Sequence, residues 1–385
     1  MIKVLFISQW YPNKYDLMAG LFVQKHAQAV GLYCDVATLY IQPDKFISKL
    51  ETQTTFENGI LEIIVYYPAN DSILFGRIGK LFQYLKAYIS GFKTLQNAWG
   101  MPDLVQANIF TRTALIALMV KVIYGIPYTV IEHWTRYFRE ITYTSKLHKY
   151  LTILAAKYAS AVLPVTHHLQ KCMEGKGMKN SNYQVINNVV DNIYFKHIAK
   201  TIKTKIRIIN VTCFDDKQKN LTGLLNVILL LSKKRQDFEL YMVGDGVDFE
   251  MIKSYAKAIG LEDSIVHFSG LLTGEKLVEV FQQSHFSVLF SNYENIPVVI
   301  SESLVCGKPV ISTNVGGISE HINAENGILI NAKDEHALFD AIDFMIDHSA
   351  EYDAHRMKDS AMQKYGYQSV GVRLLSIYKS IITHE

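Results

Sequence analysis

The amino-acid sequence predicts an α/β fold built as two Rossmann-like, doubly wound domains in series. Short β-branched runs alternate with helical stretches along the whole chain, the rhythm of parallel sheets covered by helices. In the second half these runs are almost wholly apolar, as strands buried on both faces are. The length, 385 residues, exceeds one ordinary core, and the polar segment "KHIAKTIKTK" stands where a linker between two domains would fall. The boundaries expected are 1–195 for the first domain, 205–365 for the second and 366–385 for a terminal helical segment.

"KVLFIS" reads as the first buried strand, followed by the turn-rich loop "QWYPNKYDLMAG" and a helix near 20–31. "DVATLY", "LEIIVYY", "DLVQANI" and "PYTVIEHW" read as further strands, with helices over 77–97 and 111–124 between some of them. The helix "SKLHKYLTILAAKYA" and the strand "AVLPVT" continue the pattern. After the linker it restarts with "IRIINVT", "FELYMVG", "IVHFSG", "FSVLFS", "KPVIST" and "GILI". Ligands of such sheets bind beyond the carboxyl ends of the strands. Two facing sheets would make a cleft suited to a small molecule.

Charge divides unevenly. Residues 1–195 hold 19 Lys and Arg against 12 Asp and Glu, and residues 196–385 hold 20 against 24. A basic first half suggests an anionic partner there. The cysteines Cys34, Cys172, Cys213 and Cys306 show neither disulfide nor metal spacing, which fits a reducing compartment. The apolar run before Ser8 is too short for a signal peptide, and no 18-residue apolar stretch occurs. These features lead to the expectation of a cytoplasmic protein.

"SNYENIPVVISESLVCGKPVISTNVGG", Ser291 to Gly317, is the stretch richest in chemistry. Its strand should end near Phe290, with a loop carrying Glu294, Asn295 and Ile296. Pro297 suits the first turn of a helix, and the amides of Val298 and Val299 with the dipole's positive end suit a phosphate. Glu302 follows on that helix, and Gly316-Gly317 would let backbone approach a ligand closely. On a continuous helix eight residues span about 12 Å, too far for the carboxyl pair of a retaining glycosidase at about 5–5.5 Å. Either the two glutamates hold opposite ends of one ligand, or both are solvated surface residues.

Glu294-x7-Glu302 followed by "CGKPVISTNVGG" resembles the signature of retaining glycosyltransferases of family 4, the glycosyl transferases group 1, whose fold is GT-B. "NVVDNIYF", "YMVGDGVDFE" and "YGYQSVGVRLLSIYKSII" are similar to further segments of that family, so the resemblance covers most of the chain. It implies an acceptor-side first domain, a nucleotide-sugar donor domain facing it across a cleft, and a last helix crossing back to the first domain. It places Glu294 on donor-sugar hydroxyls and Glu302 on the nucleoside ribose. Lys219 in "CFDDKQKNLTGLL" aligns with the lysine for the diphosphate, with Asn220 in place of the family's Gly. Cys213 stands where the family has an arginine; Lys217 either replaces it or is simply solvated. Pro297 stands where the family often has Gly. His133, at the end of "TVIEH", is placed beside the donor sugar. Gly20 matches the glycine abutting the donor phosphates, while Trp134, Arg136 and Tyr137 would line the acceptor side.

Two features are set aside. Gly244-x-Gly246 lacks the third glycine of a nicotinamide fingerprint. The adjacent Asp215-Asp216 does not make a metal–diphosphate pair. Between Ser72 and Pro102 there is no acidic residue, while Arg77, Lys80, Lys86 and Lys93 punctuate apolar ones. A helix over 77–95 is therefore either an ordinary core helix with solvated lysines or a basic amphipathic helix lying at an anionic membrane.

The expectation is a retaining, metal-independent glycosyltransferase without cofactor, taking a nucleotide-diphosphate sugar, preferably a UDP-sugar, to a hydroxyl of a glycan or lipid-linked acceptor. Cell-surface polysaccharide synthesis is the expected setting, and no nucleic-acid partner is expected. A non-hydrolysing nucleotide-sugar epimerase and a non-catalytic glycan- or protein-binding subunit are the alternatives.

Overall fold

The computed structural model describes residues 1–69, 76–110, 112–138, 145–195 and 205–383. The expected linker lies outside these residues except for Lys205. The chain divides into two compact units, one of residues 1–165, 170–189 and 367–385, the other of 166–169 and 190–366.

The first unit is built on β1 (Lys3–Ser8), α1 (Leu21–Gly31), β2 (Asp35–Asp44), β3 (Glu51–Glu57), β4 (Ile60–Pro68), α2 (Gly76–Trp99) and β5 (Leu104–Asn108). It continues through α3 (Arg112–Tyr124), β6 (Tyr128–Glu132), α4 (Lys146–Tyr158), β7 (Ala161–Pro164) and, from Gln170 onward, α5 (His167–Gly175). Among the described residues its sheet has seven strands in the order β3-β4-β2-β1-β5-β6-β7, parallel but for β3. The parallel strands are apolar runs with little exposure, because helices cover both faces. The sequence reading missed β3. Every residue of "ETQTTFE" is exposed on the sheet edge, so no apolar run betrays it. The Asn58-Gly59 turn is its signal, with φ of 51° and 79°, the geometry of a tight hairpin.

The second unit runs β8 (Ile206–Val211), α6 (Asp216–Lys219), α7 (Leu221–Lys234), β9 (Phe238–Val243), α8 (Phe249–Ala258), β10 (Val266–Gly270) and α9 (Gly274–Gln283). Then come β11 (Phe286–Leu289), α10 (Val298–Val305), β12 (Val310–Thr313), β13 (Gly327–Ile330), α11 (Glu335–His348) and α12 (Ala354–Tyr365). The strands form one sheet in the order β10-β9-β8-β11-β12-β13, with every pair parallel. Its core packs Ile208, Leu240, Phe286 and Ile311 of the strands against Leu224, Ile228 and Ile342 of the helices. The strand order reverses between β8 and β11, so the loops leaving both strands diverge at that point, where doubly wound sheets hold ligands.

The last helix, α13 (Tyr367–Ile382), belongs to the first unit and lies on α1. Contact is backbone-close: a Cβ on Gly371 would stand 2.2 Å from the Ala29 carbonyl oxygen. Tyr378 reaches through to donate to Gln106 Oε1 at 3.0 Å.

Candidate functional site

Pairing of β8 with β11 brings together two loops separated by about 75 residues in sequence. From the first, α6 is a single turn capped by the Asp215 carboxylate, which accepts from the Gln218 amide at 3.2 Å. Asn220 then takes a left-handed conformation, φ 51°, and breaks the helix before α7. Asparagine tolerates that region, so it substitutes sterically for glycine here. The Asp216 carboxylate accepts from the amide and hydroxyl of Thr222, both at 2.8 Å. Asp215 is therefore a helix cap, and Asp216 ties α6 to the first turn of α7.

Lys219, at the end of this turn, is buried and its Nζ donates to Glu294 Oε1 in the β11 loop, also buried. Ser291 Oγ donates to the same carboxylate at 3.0 Å and Gln218 Nε2 at 3.3 Å. The two loops are also tied by the Asn292 amide on the Gln218 carbonyl, 2.7 Å, and by Asn292 Nδ2 on the Lys217 carbonyl, 3.0 Å. The Lys217 side chain and Cys213 are exposed. Ser291 and Gln218 escaped the sequence reading; their signal is position, one in each loop beside an expected site residue.

Pro297 is the cap of α10 rather than its first residue, and Val298 and Val299 begin the helix. Their amides have no carbonyl one turn back to accept them. Asn295 is buried, accepts from Thr166 Oγ1 at 3.0 Å through its side chain, and accepts the Gly317 amide at 2.9 Å through its carbonyl. Ile296 is half-buried beside it. The close approach at the double glycine is to this loop: a Cβ on Gly316, φ 59°, would stand 1.9 Å from the Glu294 carbonyl oxygen. Glu302 is half-buried on α10 and accepts a hydrogen bond from the buried Tyr194 hydroxyl. Burial, then the Glu302 charge, push the Tyr194 phenol well above its ordinary value. Tyr194 lies within "NVVDNIYF" but carries no signal of its own in the sequence.

In the first unit, β6 ends at Glu132 and His133 is the first residue beyond it. Glu132 is fully buried and accepts from the amides of Phe110, His133 and Trp134, each at 2.9 Å, and from the Tyr137 hydroxyl at 3.3 Å. Burial raises its pKa, and the four donors oppose that rise. The carboxylate thus folds the loop that carries His133. A buried acid closing an apolar strand was the available signal.

The His133 ring packs 4.3 Å from Phe22 and 5.6 Å from His26, centroid to centroid. Burial, with His26 adding to it, pushes its pKa well below the usual histidine value, while a hydrogen bond with Asn188 opposes. The imidazole is neutral at pH 7. Gly20 caps α1, the helix of Phe22 and His26, in a left-handed conformation, φ 64°; a Cβ there would stand 2.2 Å from the Trp10 carbonyl oxygen. Nearby, Trp10 meets Trp134 edge-on at 5.2 Å, and the Arg136 guanidinium lies 4.6 Å above the Trp134 ring. Tyr137 is buried by its bond to Glu132 rather than presented outward.

Among the described residues no group of three or more His, Cys, Asp or Glu is arranged to hold a metal ion.

Residues 195–367 match the family described as glycosyl transferases group 1. N-acetyl-alpha-D-glucosaminyl L-malate synthase of Bacillus anthracis is 25% identical over 240 residues, 59% of this chain and 61% of that one, so the chain spans about three fifths of that relative's length. Among solved structures, sucrose-phosphate synthase of Thermosynechococcus elongatus has a TM-score of 0.77 at 16% identity, with all of both chains covered. HepE of Anabaena, solved with UDP-glucose, has a TM-score of 0.73 at 15% identity over 99% of this chain and 100% of that one. At these identities the two structures establish the fold. Residues 195–367 are thus similar to the glycosyl transferases group 1, and the fold is GT-B.

Proposed function

We propose that this protein is a retaining glycosyltransferase that moves a sugar from a UDP-sugar to a hydroxyl of a glycan or lipid-linked acceptor, in the synthesis of a cell-surface polysaccharide. The observation that carries this reading is the buried Lys219–Glu294 pair beside the start of α10, at the reversal of strand order in the group 1 domain. The UDP-glucose complex of HepE, a protein of the same fold, supports the choice of donor.

A lysine ammonium has three N–H donors, so Lys219 can hold Glu294 and a phosphate oxygen together. The carboxylate of Glu294 keeps lone pairs for sugar hydroxyls, with Ser291 and Gln218 holding it in one orientation. Glu302 takes the ribose, and the amides of Val298 and Val299 face the diphosphate. Negative charge grows on the leaving diphosphate as the glycosidic bond breaks, and Lys219 with the α10 dipole stabilises it, so the reading needs no metal ion. His133, kept neutral by burial, orients the sugar without adding a second positive charge beside the developing cationic carbon. The acceptor hydroxyl attacks the face the diphosphate leaves and gives its proton to the departing phosphate oxygen, so the anomeric configuration is retained.

Calorimetric titration with UDP, GDP and ADP, with and without EDTA and beside Lys219→Ala, tests the reading. Selective UDP binding that EDTA leaves unchanged and Lys219→Ala weakens is the expected result. Donor conversion without any acceptor would instead indicate an epimerase, and failure of every nucleotide to bind would indicate a non-catalytic subunit.

A further inference from the structure

The outer helices of the first unit combine three properties. In the sheet, the connections β4 to β5, β5 to β6 and β6 to β7 all run in one direction, so right-handed crossovers put α2, α3 and α4 on the same face. Side chains join the three into one layer. The rings of Phe92 and Tyr124 stack at 5.5 Å between α2 and α3, and Lys121 Nζ reaches the Tyr158 carbonyl at 3.4 Å between α3 and α4.

The layer is also one-sided in charge. Together α2, α3 and α4 hold nine Lys and Arg and no Asp or Glu. Elsewhere in the chain the charges are mixed: outside these helices 30 Lys and Arg stand against 36 Asp and Glu.

Large apolar side chains stand outward among these cations. On α2, Phe82 is 65% exposed and Ile89 59%; on α3, Val122 is 78% and Ile123 63%; on α4, Leu147 is 66% and Tyr150 62%. An ordinary covering helix turns such residues inward, and exposed apolar surface of this extent marks an interaction face. Between α2 and α3 a groove of about 220 Å³ opens over the sheet, floored by Ile7 and Leu39 and walled by Phe92, Met119 and Ile123. Lys93 and Gln96 are the polar residues along it. Its volume lies below the roughly 300–1,000 Å³ of sites for compact small molecules, a size for part of one alkyl chain.

We propose that the α2–α3–α4 layer docks on an anionic lipid bilayer, with an acyl chain entering the groove between α2 and α3. Cations alone would fit an acidic protein equally well. Interleaving with exposed aliphatic and tyrosine side chains fits a headgroup region with hydrocarbon beneath it. Lysine stems lie along apolar surface while their ammonium groups meet lipid phosphates. The face lies on the membrane rather than crossing it, since no described helix is long and apolar enough to span one. This inference is independent of the transfer chemistry.

Sedimentation of the full chain with vesicles of phosphatidylcholine alone, and with about one third phosphatidylglycerol, tests it. Binding to the anionic vesicles should be at least about tenfold stronger and should weaken as salt rises, because screening shortens to about 8 Å near 0.15 M. Lys80→Glu with Lys86→Glu should abolish the preference, and Phe82→Asp should weaken binding several-fold, with melting temperatures unchanged. Met119→Trp, which fills the groove, should lower binding to anionic vesicles while leaving its salt dependence; Ile123→Ser serves as a second groove variant should the first unfold. Equal binding to neutral and anionic vesicles, or a preference that survives charge reversal, would overturn the docking face. Binding to polyglutamate but to neither vesicle would overturn it in favour of an acidic protein partner. Unchanged binding in both groove variants would overturn the acyl-chain insertion.

Discussion

Lys219 and Glu294 form a buried ion pair across two loops that leave neighbouring strands, β8 and β11, at the point where strand order reverses. Removing one partner leaves the other charged and buried, which costs about 3–5 kcal/mol. Lys219→Ala is therefore expected to lower unfolding stability by that order, read from urea denaturation. Its turnover should also fall by roughly 10²-fold or more. The double variant Lys219→Met with Glu294→Gln should recover most of the stability and none of the turnover. Near-normal turnover in Lys219→Ala and in Glu294→Ala would remove the proposed mechanism.

The carboxylate of Glu132 gathers three amides and a tyrosine hydroxyl at the end of β6. Glu132→Gln keeps the shape but turns an NH2 group toward N–H donors. A buried donor left unsatisfied costs about 1–3 kcal/mol. Stability should drop by that amount and the loop carrying His133 should loosen, seen as faster amide exchange at His133 and Trp134. Unchanged exchange would mean that the backbone holds this loop without the carboxylate.

Tyr194 orients Glu302 by donating its hydroxyl proton to the carboxylate. If Glu302 holds the ribose, Tyr194→Phe should weaken UDP binding about five- to tenfold, the value of one lost hydrogen bond near 1 kcal/mol, with kcat little changed. A calorimetric Kd equal to that of the parent protein would separate Tyr194 from nucleoside binding.

Acid should destabilise the chain through its buried imidazoles. Burial first, and the Lys364 charge second, push His321 down to about 3, and burial also lowers His26 and His133. The unfolded chain takes up these protons near pH 6.5 while the folded chain refuses them, so stability is complete above about 6.5. It is then lost as pH falls toward 3, by about 1.4 kcal/mol per pH unit for each imidazole that stays neutral. His321→Gln should flatten the slope of unfolding free energy between pH 6 and 4 by one proton's worth. An unaltered slope would show that His321 titrates normally in the folded chain.

Gly316 touches the Glu294 backbone so closely that no side chain fits, and its φ of 59° disfavours one in any case. Gly316→Ala should push the Glu294 loop away. Turnover and melting temperature should both fall, since the backbone clash and the left-handed φ each cost stability, whereas a parent-like rate would show that the loop position tolerates displacement.

Much of this protein is legible in its sequence. Alternating apolar runs and helices identify two parallel-sheet domains because strands buried on both faces leave nothing polar to break the run. The loop-and-helix grammar around Pro297 locates α10 to within a residue, since proline fits only the start of a helix. The edge strand β3 escaped because its residues face water, and hydrophobic periodicity is blind to them.

Sequence by itself determined which segments become strands and helices, because burial and backbone geometry act on neighbours along the chain. It could mark Lys219, Glu294, Glu302 and His133 as chemically apt, but only singly. Tertiary structure decided their partners: Lys219 on Glu294, Tyr194 on Glu302, the Glu132 carboxylate beneath the His133 loop, and Phe22 and His26 against His133. Each pairing joins residues brought close by strand order, by a neighbouring helix or by the turn of a loop. Their charges and hydrogen bonds depend on distance and burial, which no spacing along the chain contains.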